Sequence, residues 1–261
     1  MEVIILPTAE EVGSVAAATI ASVVSTNPSA VIGLATGASP QGIYAHLARR
    51  VTAGEISFAW ARGFALDEYI DIPKEHPESY ASVIARNVTL PLGFNPSRVR
   101  VPDGRAVDLD LAADEYDAAI RAAGGIDVQI LGIGSNGHIG FNEPTSSFSS
   151  RTRIKTLAPG TRDANARFFE SADQVPTHCM TQGIGTILEA KRLVLVAQGA
   201  HKANAIAATI EGPLSSFVPG SALQLHQHAT VIIDEAAASE LTLADYYRYT
   251  NSNKPDQLRN R

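Results

Sequence analysis

Short runs of hydrophobic residues alternate with longer segments of helical periodicity along this chain of 261 residues. The short runs are rich in Val, Ile and Leu, which is typical of strands that are buried on both faces. They predict strands over Val3–Leu6, Ala30–Leu34, Gly63–Leu66, Val128–Gly132, Arg192–Ala197 and Ala229–Asp234. The segments between them predict helices over Ala9–Ser25, Pro40–Ala53, Glu78–Asn87, Leu109–Ala123, Lys202–Glu211 and Ala236–Leu243.

This alternation favours an α/β fold, with an open, mostly parallel sheet and helices on both of its faces. We expect a single domain over residues 1–261, a length that one α/β domain often reaches. The stretch Thr145–Arg167 breaks the pattern, because it is rich in Ser, Thr and Arg and lacks hydrophobic periodicity. Long connections of this kind are often lids or binding loops, so we expect a lid within about residues 145–182.

Composition narrows the classes of function. The formal net charge of -6 argues against a surface for nucleic acid, and 45% hydrophobic residues provide a large core. No segment approaches the roughly 20 apolar residues of a membrane helix, and no signal peptide is predicted. The single cysteine, Cys179, suits a reducing compartment and is predicted to be a small buried hydrophobe. We therefore expect a cytoplasmic protein that binds neither nucleic acid nor membranes.

The first candidate site is a loop that follows the strand Ala30–Leu34. It comprises Thr36, Gly37, Ala38 and Ser39. Ser39 is predicted to cap the next helix and Pro40 to begin it, so free backbone N–H groups and the helix dipole would hold a phosphate. The Gly-Lys-Ser/Thr of a nucleotide-binding loop is missing, which favours a small phosphorylated molecule. Arg167 and Lys202 are candidates to complete this anion site. An ordinary capped turn and two surface cations are the alternatives.

The second candidate is a pair of carboxylates, Asp67 and Glu68, directly after the strand Gly63–Leu66. Side chains alternate along a strand, so only one of the two is expected to face a given pocket. Burial beside the sheet and the neighbouring negative charge would both raise the pKa of that carboxyl group, as a general base requires. The alternative is a pair of helix-capping or surface acids.

The third candidate is the loop from Gly132 to Pro144, which contains His138 and Glu143. Its G-x-G-x-x-G pattern does not predict a dinucleotide site, because Pro144 closes a short loop and no helix follows. Its glycines instead let the backbone pass close to a ligand. A carboxylate beside a histidine fixes its tautomer and raises its proton affinity, which suits a general acid or base. A purely structural histidine is the alternative. Neither a nucleophile elbow nor metal-ligand spacing is evident.

Together, these motifs identify a resemblance. The matching segments are Leu34–Pro40, Leu66–Tyr69, Pro73–Tyr80, Gly137–Pro144, Ser150–Thr156 and Leu223–His226. Over nearly its whole length the chain resembles the glucosamine-6-phosphate deaminases. The resemblance implies conversion of D-glucosamine 6-phosphate and water to D-fructose 6-phosphate and ammonia, with neither a metal nor an organic cofactor. The 6-phosphogluconolactonases share the fold but differ at Asp67–Tyr69 and Pro73–Tyr80.

The resemblance also implies roles for individual residues. Asp67 would move the proton between C2 and C1 of the substrate. His138 would protonate the ring oxygen, and Glu143 would orient the His138 imidazole. The implied substrate and phosphate contacts are Thr36, Gly37, Ala38, Ser39, Glu68, Gly137, Arg167 and Lys202. Some relatives carry Asp where this chain has Asn136. An amide cannot take a proton, so Asn136 is expected to orient the catalytic loop rather than to relay protons.

Regulation and assembly stay open at this stage. Some family members bind N-acetylglucosamine 6-phosphate at a subunit interface, and a partial match to that site consists of Ser146, Ser147, Arg153 and Lys155. The C-terminal segment matches poorly, so allostery is undecided, as is the choice between a monomer and a homo-oligomer. Two rival functions are a 6-phosphogluconolactonase-like hydrolase and a non-catalytic sugar-phosphate sensor. The first needs no carbon base such as Asp67, and the second predicts the loss of Asp67 or His138.

Overall fold

A computed structural model describes residues 1–255 of the protein. The main sheet has seven parallel strands in the order β1-β10-β9-β6-β2-β3-β5, and a second sheet has three antiparallel strands in the order β4-β8-β7. The strands are β1 (Glu2–Leu6), β2 (Val31–Leu34), β3 (Arg62–Ala65), β4 (Asp67–Tyr69), β5 (Val99–Arg100), β6 (Val128–Leu131), β7 (Arg153–Thr156), β8 (His178–Thr181), β9 (Leu193–Ala197) and β10 (Ala229–Asp234).

Helices connect most of these strands. They are α1 (Ala9–Thr26), α2 (Gln41–Thr52), α3 (Tyr80–Ile84), α4 (Leu90–Leu92), α5 (Leu109–Ala122), α6 (Pro159–Asn165), α7 (Ile184–Leu188), α8 (Ala203–Ile210) and α9 (Ala244–Ser252). A π-helical turn over Ala85–Thr89 joins α3 to α4. Further 3-10 turns span Pro96–Arg98, Ala166–Phe168, Ala172–Gln174, Ala200–Lys202 and Pro219–Leu225. Within residues 1–255, no helix is long and apolar enough to cross a membrane.

The predicted open, mostly parallel α/β fold is confirmed. Strand residues such as Ile32, Leu131 and Leu195 are almost completely buried, as expected for a sheet that is covered on both faces. From β2 the chain continues outward to β3 and β5, whereas from β6 it continues to β9 and β10 on the other side. The order of strands therefore reverses between β2 and β6. Open α/β sheets bind ligands in the crevice at the carboxyl ends of such strands.

The second sheet was not predicted, and it places Asp67. After β3 the chain leaves the main sheet at Leu66, whose N–H donates to the Leu34 carbonyl oxygen, and Asp67 then pairs with Thr181 of β8. A small apolar core lies beneath this sheet and contains Tyr69, Phe141 and Cys179. Cys179 is completely buried there, so its predicted role as a small buried hydrophobe is confirmed. The carboxylate thus lies where the two sheets meet.

Three local predictions are wrong. The segment 236–243 is a series of turns, and α9 begins only at Ala244, because the Asp234 carboxylate accepts the N–H groups of Ala237 and Gly199 and organises a turn there. Ser39 does not cap α2, which begins at Gln41 after Pro40 without a side-chain cap. The stretch 145–167 is not irregular throughout, since it contains β7 and α6. Neither face of β7 is fully buried, so it left no hydrophobic signal.

Candidate active site

A cavity of about 430 Å³ opens at the carboxyl ends of β2, β3 and β6. The loops that follow β2 and β6 form two of its walls, and α6 with the turn after it forms a third. Eight of the residues predicted from the sequence line it together: Thr36, Gly37, Ala38, Ser39, Asp67, His138, Arg167 and Lys202. The fold therefore brings all three candidate sites of the sequence into one cavity.

The loop after β2 forms one end of the cavity. The Tyr44 hydroxyl donates to the Ala35 carbonyl oxygen at 2.8 Å and accepts the Ala35 N–H at 3.1 Å, which fixes the start of the loop. Gly37 has a φ of 91°, a left-handed conformation that disfavours any residue with a Cβ atom. Within the described residues, the N–H groups of Gly37, Ala38 and Ser39 form no hydrogen bond. These donors suit an anion at the start of α2.

Two cations line the cavity near this loop. The Lys202 ammonium group donates to the Ile133 carbonyl oxygen at 2.7 Å, and burial together with the charge of Arg167 lowers the pKa of Lys202. The Arg167 guanidinium group lies 4.7 Å above the centre of the Phe168 ring. Two like charges that repel each other are stabilised by an anion placed between them. Lys202 is half-buried whereas Arg167 is exposed, so the surface-charge alternative describes Arg167, yet both cations line the cavity beside the free N–H groups.

Asp67 is the carboxylate that faces the cavity, whereas its neighbour Glu68 does not line it, as strand alternation predicted. Asp67 is only 5% exposed, and Thr181 Oγ1 lies 3.4 Å from its Oδ2. Burial and, to a smaller extent, the charge of Glu68 raise the pKa of Asp67 to about 8, against weaker opposing hydrogen bonds. A carboxyl group with this pKa is a strong enough base to take a proton from carbon near neutral pH.

Glu68 fulfils the alternative prediction of a helix-capping acid. Its Oε1 accepts the N–H groups of Tyr69 and Tyr80, and its Oε2 accepts that of Ala81, each at 2.8 Å. Tyr80 and Ala81 are the first two residues of α3. Glu68 therefore holds the N-terminus of a helix rather than a ligand.

His138 lines the cavity, and Asn136 and Glu143 support it from behind. Asn136 Oδ1 lies 2.7 Å from His138 Nδ1, and Asn136 Nδ2 donates to Glu143 Oε2 at 2.7 Å. The direct distance from His138 Nδ1 to Glu143 Oε2 is 3.6 Å, too long for a strong hydrogen bond. The predicted contact between His138 and Glu143 is therefore bridged by the side chain of Asn136.

The environment of Glu143 keeps it charged. Burial alone would raise the pKa of Glu143, but the nearby His138 imidazole and the hydrogen bonds from Thr161 and Asn136 together lower it to about 2. The Thr161 hydroxyl donates to Glu143 Oε1 at 2.6 Å, and the Ala158 N–H donates to the same oxygen at 3.1 Å. Both donors come from the α6 region, so this segment contacts the His138 loop directly.

The glycines of the His138 loop are required by its shape. A Cβ atom on Gly134 would lie 2.2 Å from His138 Cε1, so the imidazole packs against bare backbone. Gly137 has a φ of 83° and its carbonyl oxygen accepts the Gly220 N–H, but it does not line the cavity. The G-x-G-x-x-G pattern therefore reflects room for a histidine ring and a left-handed turn.

The sequence left several cavity residues unassigned. Tyr80, Thr161, Gln198 and His201 all line the cavity. Tyr80 is the last residue of the motif Pro73–Tyr80. That motif matches the glucosamine-6-phosphate deaminases, but it predicts no role for Tyr80. Gln198 and His201 precede and follow the turn at Gly199, whose N–H donates to Asp234. Thr161 had no signal, since its segment showed no periodicity.

The four residues of the partial effector motif lie outside the cavity lining. Ser146 is 2% exposed, and its hydroxyl donates to the Glu143 carbonyl oxygen. The Ser147 hydroxyl contacts that of Ser149. Arg153 donates to Asn142 Oδ1 at 2.8 Å, and Lys155 lies on the same strand, β7. Within residues 1–255, no group of three or more His, Cys, Asp or Glu side chains is arranged to hold a metal ion.

Fold and cavity together define an open α/β protein whose cavity, at the switch point of its parallel sheet, is lined by unpaired backbone N–H groups, two cations, a buried carboxyl group and a histidine. A family model for glucosamine-6-phosphate isomerases/6-phosphogluconolactonase matches residues 7–232. The chain belongs to this family. It is 54% identical to the glucosamine-6-phosphate deaminases of Streptomyces avermitilis, over 257 residues and 98% of each chain, and of Mycolicibacterium smegmatis, over 256 residues and 98% of each chain.

Solved structures agree with this assignment. A monomeric glucosamine-6-phosphate deaminase superposes with a TM-score of 0.90 at 42% identity, covering 92% of this chain and 100% of that one. A 6-phosphogluconolactonase from Trypanosoma cruzi superposes with a TM-score of 0.73 at 20% identity, covering 92% of this chain and 97% of that one. The second comparison shows the shared fold alone.

Proposed function

We propose that this protein converts D-glucosamine 6-phosphate and water to D-fructose 6-phosphate and ammonia. The observation that carries the proposal is the presence of two separate acid–base groups, Asp67 and His138, in one cavity with an anion site. The relatives that are 54% identical carry the name of this activity. A lactonase has no need of a carbon base, and a mere sensor has no need of either group.

Phosphate binding places the sugar. The free N–H groups of the loop Thr36–Ser39, with Lys202 and Arg167, would hold the phosphate at one end of the cavity. The sugar then extends toward Asp67 and His138, which line the same cavity. Binding energy from a remote, unreactive phosphate fixes the reacting carbons near the catalytic groups, and this lowers the barrier of each chemical step.

Ring opening is the first chemical step, and it moves the proton of the anomeric hydroxyl to the ring oxygen. The Asn136 amide donates to the Glu143 carboxylate, so its oxygen must accept the N–H of His138 Nδ1. Neutral His138 then carries a lone pair on Nε2. That nitrogen takes the proton from the anomeric hydroxyl and returns it to the ring oxygen. The ionised Glu143 stabilises the imidazolium through Asn136.

Isomerisation is the second step and uses Asp67. The aldehyde at C1 makes the proton on C2 acidic. The Asp67 carboxylate takes this proton while the substrate's own ammonium group gives a proton to the C1 oxygen, which forms an enolamine. Asp67 then returns its proton to C1, which leaves a hydroxyl group at C1 and a protonated imine at C2. Water adds to this imine and ammonia leaves, giving the ketone of fructose 6-phosphate. Atoms balance, because one water enters and one ammonia departs.

We propose that the segment 159–168 is the lid expected from the sequence. Gly160, Thr161, Ala164 and Arg167 line the cavity, and Thr161 is bonded to Glu143. A lid in this position would close over the phosphate and the His138 loop together. Exclusion of water would protect the enolamine from quenching.

We further propose a cytoplasmic location, supported by the buried, unpaired thiol of Cys179. For assembly the choice stays between a monomer, the state named for the solved deaminase that is 42% identical, and a homo-oligomer with an effector site formed by Ser146, Ser147, Arg153 and Lys155. Sedimentation velocity distinguishes the two states, and steady-state rates with and without N-acetylglucosamine 6-phosphate test the effector site. Neither result affects the proposed reaction.

The decisive experiment mixes the purified protein with glucosamine 6-phosphate and measures ammonia and fructose 6-phosphate together. We expect the two products in equal amounts, and no hydrolysis of 6-phosphogluconolactone above the uncatalysed rate. The Asp67→Asn variant should bind the substrate but form neither product. Hydrolysis of the lactone without release of ammonia would overturn the proposal and favour a 6-phosphogluconolactonase-like hydrolase.

A further inference from the structure

The N-terminus of α3 is held by a buried carboxylate instead of by water. Glu68 is 5% exposed and accepts the N–H groups of the first two helical residues, Tyr80 and Ala81. The Ser79 hydroxyl accepts the N–H of the third helical residue, Ser82, and donates to the Lys74 carbonyl oxygen. Every N–H donor of the first turn therefore has an acceptor. The Glu68 side chain of β4 provides the acceptor for two of these donors.

This helix end carries a wall of the active site. The Tyr80 side chain lines the cavity, and its hydroxyl lies 3.3 Å from that of Tyr69. The Tyr80 ring stacks on that of Phe141, with the centroids 5.9 Å apart. Phe141 follows His138 by three residues. Tyr80 also interacts with the side chain of Thr36 in the anion-binding loop. The position of Tyr80 thus relates the phosphate end of the cavity to the His138 loop.

Glu68 also lies directly beside Asp67 in β4. The titratable groups that interact electrostatically with Asp67 are Glu68, Tyr69, Tyr80, Tyr116 and Cys179. Burial raises the pKa of the three tyrosines and of Cys179, so these four groups are neutral near neutral pH. Among the groups of the described residues that act on Asp67, only the charge of Glu68 disfavours its ionised form substantially.

We infer that Glu68 is a positioning residue for the proposed reaction: it holds Tyr80 in the cavity wall through the start of α3, and its ionised carboxylate places a negative charge beside Asp67. This inference rests on the proposed function. It assigns no contact between Glu68 and the substrate. The two parts act through different neighbours, so substitution can separate them.

Two substitutions make that separation. Glu68→Gln keeps the length of the side chain but removes the charge, and its NH₂ group cannot accept the N–H of Ala81. Glu68→Asp keeps the charge but shortens the reach by one methylene. We expect Glu68→Gln to raise KM about tenfold, since a hydrogen bond to a charged group is lost. Its activity should also begin at lower pH than in the wild type. Glu68→Asp should raise KM while the pH profile stays in place.

A double-substitution cycle with Tyr80→Ala tests the path of the effect. If Glu68 acts through Tyr80, Glu68→Gln should change KM much less in the Tyr80→Ala background than in the wild type. The matched control is Glu75→Gln, which removes the same charge from an exposed position in the same segment. That variant should leave KM and the pH profile unchanged.

A purely structural role predicts a different result. In that case Glu68→Gln would lower the melting temperature and the active fraction, while KM and the pH profile per active site stay at wild-type values, and the inference would be overturned. If Glu68→Gln does not fold, the KM of Glu68→Asp decides in its place. If the wild-type protein itself has no deaminase activity, the proposed function is overturned. The failure of the proposed function is therefore distinguishable from the failure of the inference about Glu68.

Discussion

The side-chain oxygen of Asn136 lies 2.7 Å from Nδ1 of His138, whereas Oε2 of Glu143 lies 3.6 Å from the same nitrogen. The Asn136 amide group donates at the same time to Glu143. A reversed amide would place its oxygen against the carboxylate, so the direction of both hydrogen bonds is fixed. This geometry favours the tautomer of His138 that carries the proton on Nδ1, where the Asn136 oxygen can accept it.

The first prediction concerns Asn136. Asn136→Ala should lower kcat about 10-fold to 100-fold, a part of the gain that a positioned acid–base group provides, because the imidazole loses its orienting acceptor. KM should change little, since Asn136 does not line the cavity. Steady-state kinetics with glucosamine 6-phosphate measure both. Asn136→Asp restores an acceptor but places a second carboxylate beside Glu143, so it should recover part of kcat with an altered pH profile. A variant with unchanged kcat would contradict the assigned role.

The second prediction concerns Asp67 and pH. Its pKa in the folded protein, about 8, lies above the value of 3.8 for an unperturbed group, so the folded state keeps this proton between about pH 4 and 8 after the unfolded chain has lost it. The stability contributed by the neutral carboxyl group is complete below about pH 4 and is lost as the pH rises through 8. Asp67→Asn cannot ionise. It should abolish turnover and yet raise the free energy of unfolding at pH 9 relative to the wild type.

Urea unfolding at pH 4.5 and pH 9 measures this effect. The gain of Asp67→Asn over the wild type should grow by a few kcal/mol between the two values, given about 1.4 kcal/mol per pKa unit. Asp71→Asn is the control, since Asp71 is exposed and its left-handed φ of 63° suits asparagine. A gain that is the same at both pH values would contradict a raised pKa.

The sequence was sufficient to predict the main sheet except for its two-residue edge strand β5, but not the second sheet. Strands buried on both faces, such as β6 and β9, leave continuous hydrophobic runs that are easy to recognise. By contrast β4 reads Asp-Glu-Tyr and β7 reads Arg-Ile-Lys-Thr, so their strand character comes from pairing with β8. Such pairing is a tertiary effect that overrides local propensity.

The same distinction holds in the active site. Asp67 and His138 follow strands of the main sheet closely, and their position at its rim was predictable. Thr161 and Tyr80 reach the cavity from segments that pack across it, and their approach depends on tertiary contacts far apart in the chain. The bridging role of Asn136 could not be predicted, because spacing in the sequence indicated only that His138 and Glu143 lie close enough to form a hydrogen bond. The interatomic distances were needed to show that Asn136 lies between them.

The third prediction concerns the phosphate. Lys202→Met keeps most of the side-chain volume but removes the ammonium group, so KM for glucosamine 6-phosphate should rise about 10-fold to 100-fold. The rate with unphosphorylated glucosamine should be equally low in the wild type and the variant. Lys191→Met is the matched control, because Lys191 pairs with Asp127 at the protein surface. Equal losses for both substrates would argue that Lys202 acts on the fold rather than on the phosphate.

The last prediction concerns a buried carboxylate that supports the site from outside. Asp117 of α5 is 4% exposed and accepts hydrogen bonds from Arg151, Thr152 and Thr186, so it ties α5 to the chain just before β7 and to α7.

Asp117→Ala removes the shared acceptor and leaves these donors unpaired, which should lower the free energy of unfolding by about 2–4 kcal/mol. Asp114→Ala, on an exposed face of the same helix, should change it by less than about 0.5 kcal/mol. Urea denaturation with an unchanged m value measures both, and equal effects of the two variants would show that the buried hydrogen bonds contribute nothing specific. Since Asp117 lies outside the cavity lining, kcat and KM of the folded Asp117→Ala protein should stay near the wild-type values at low temperature.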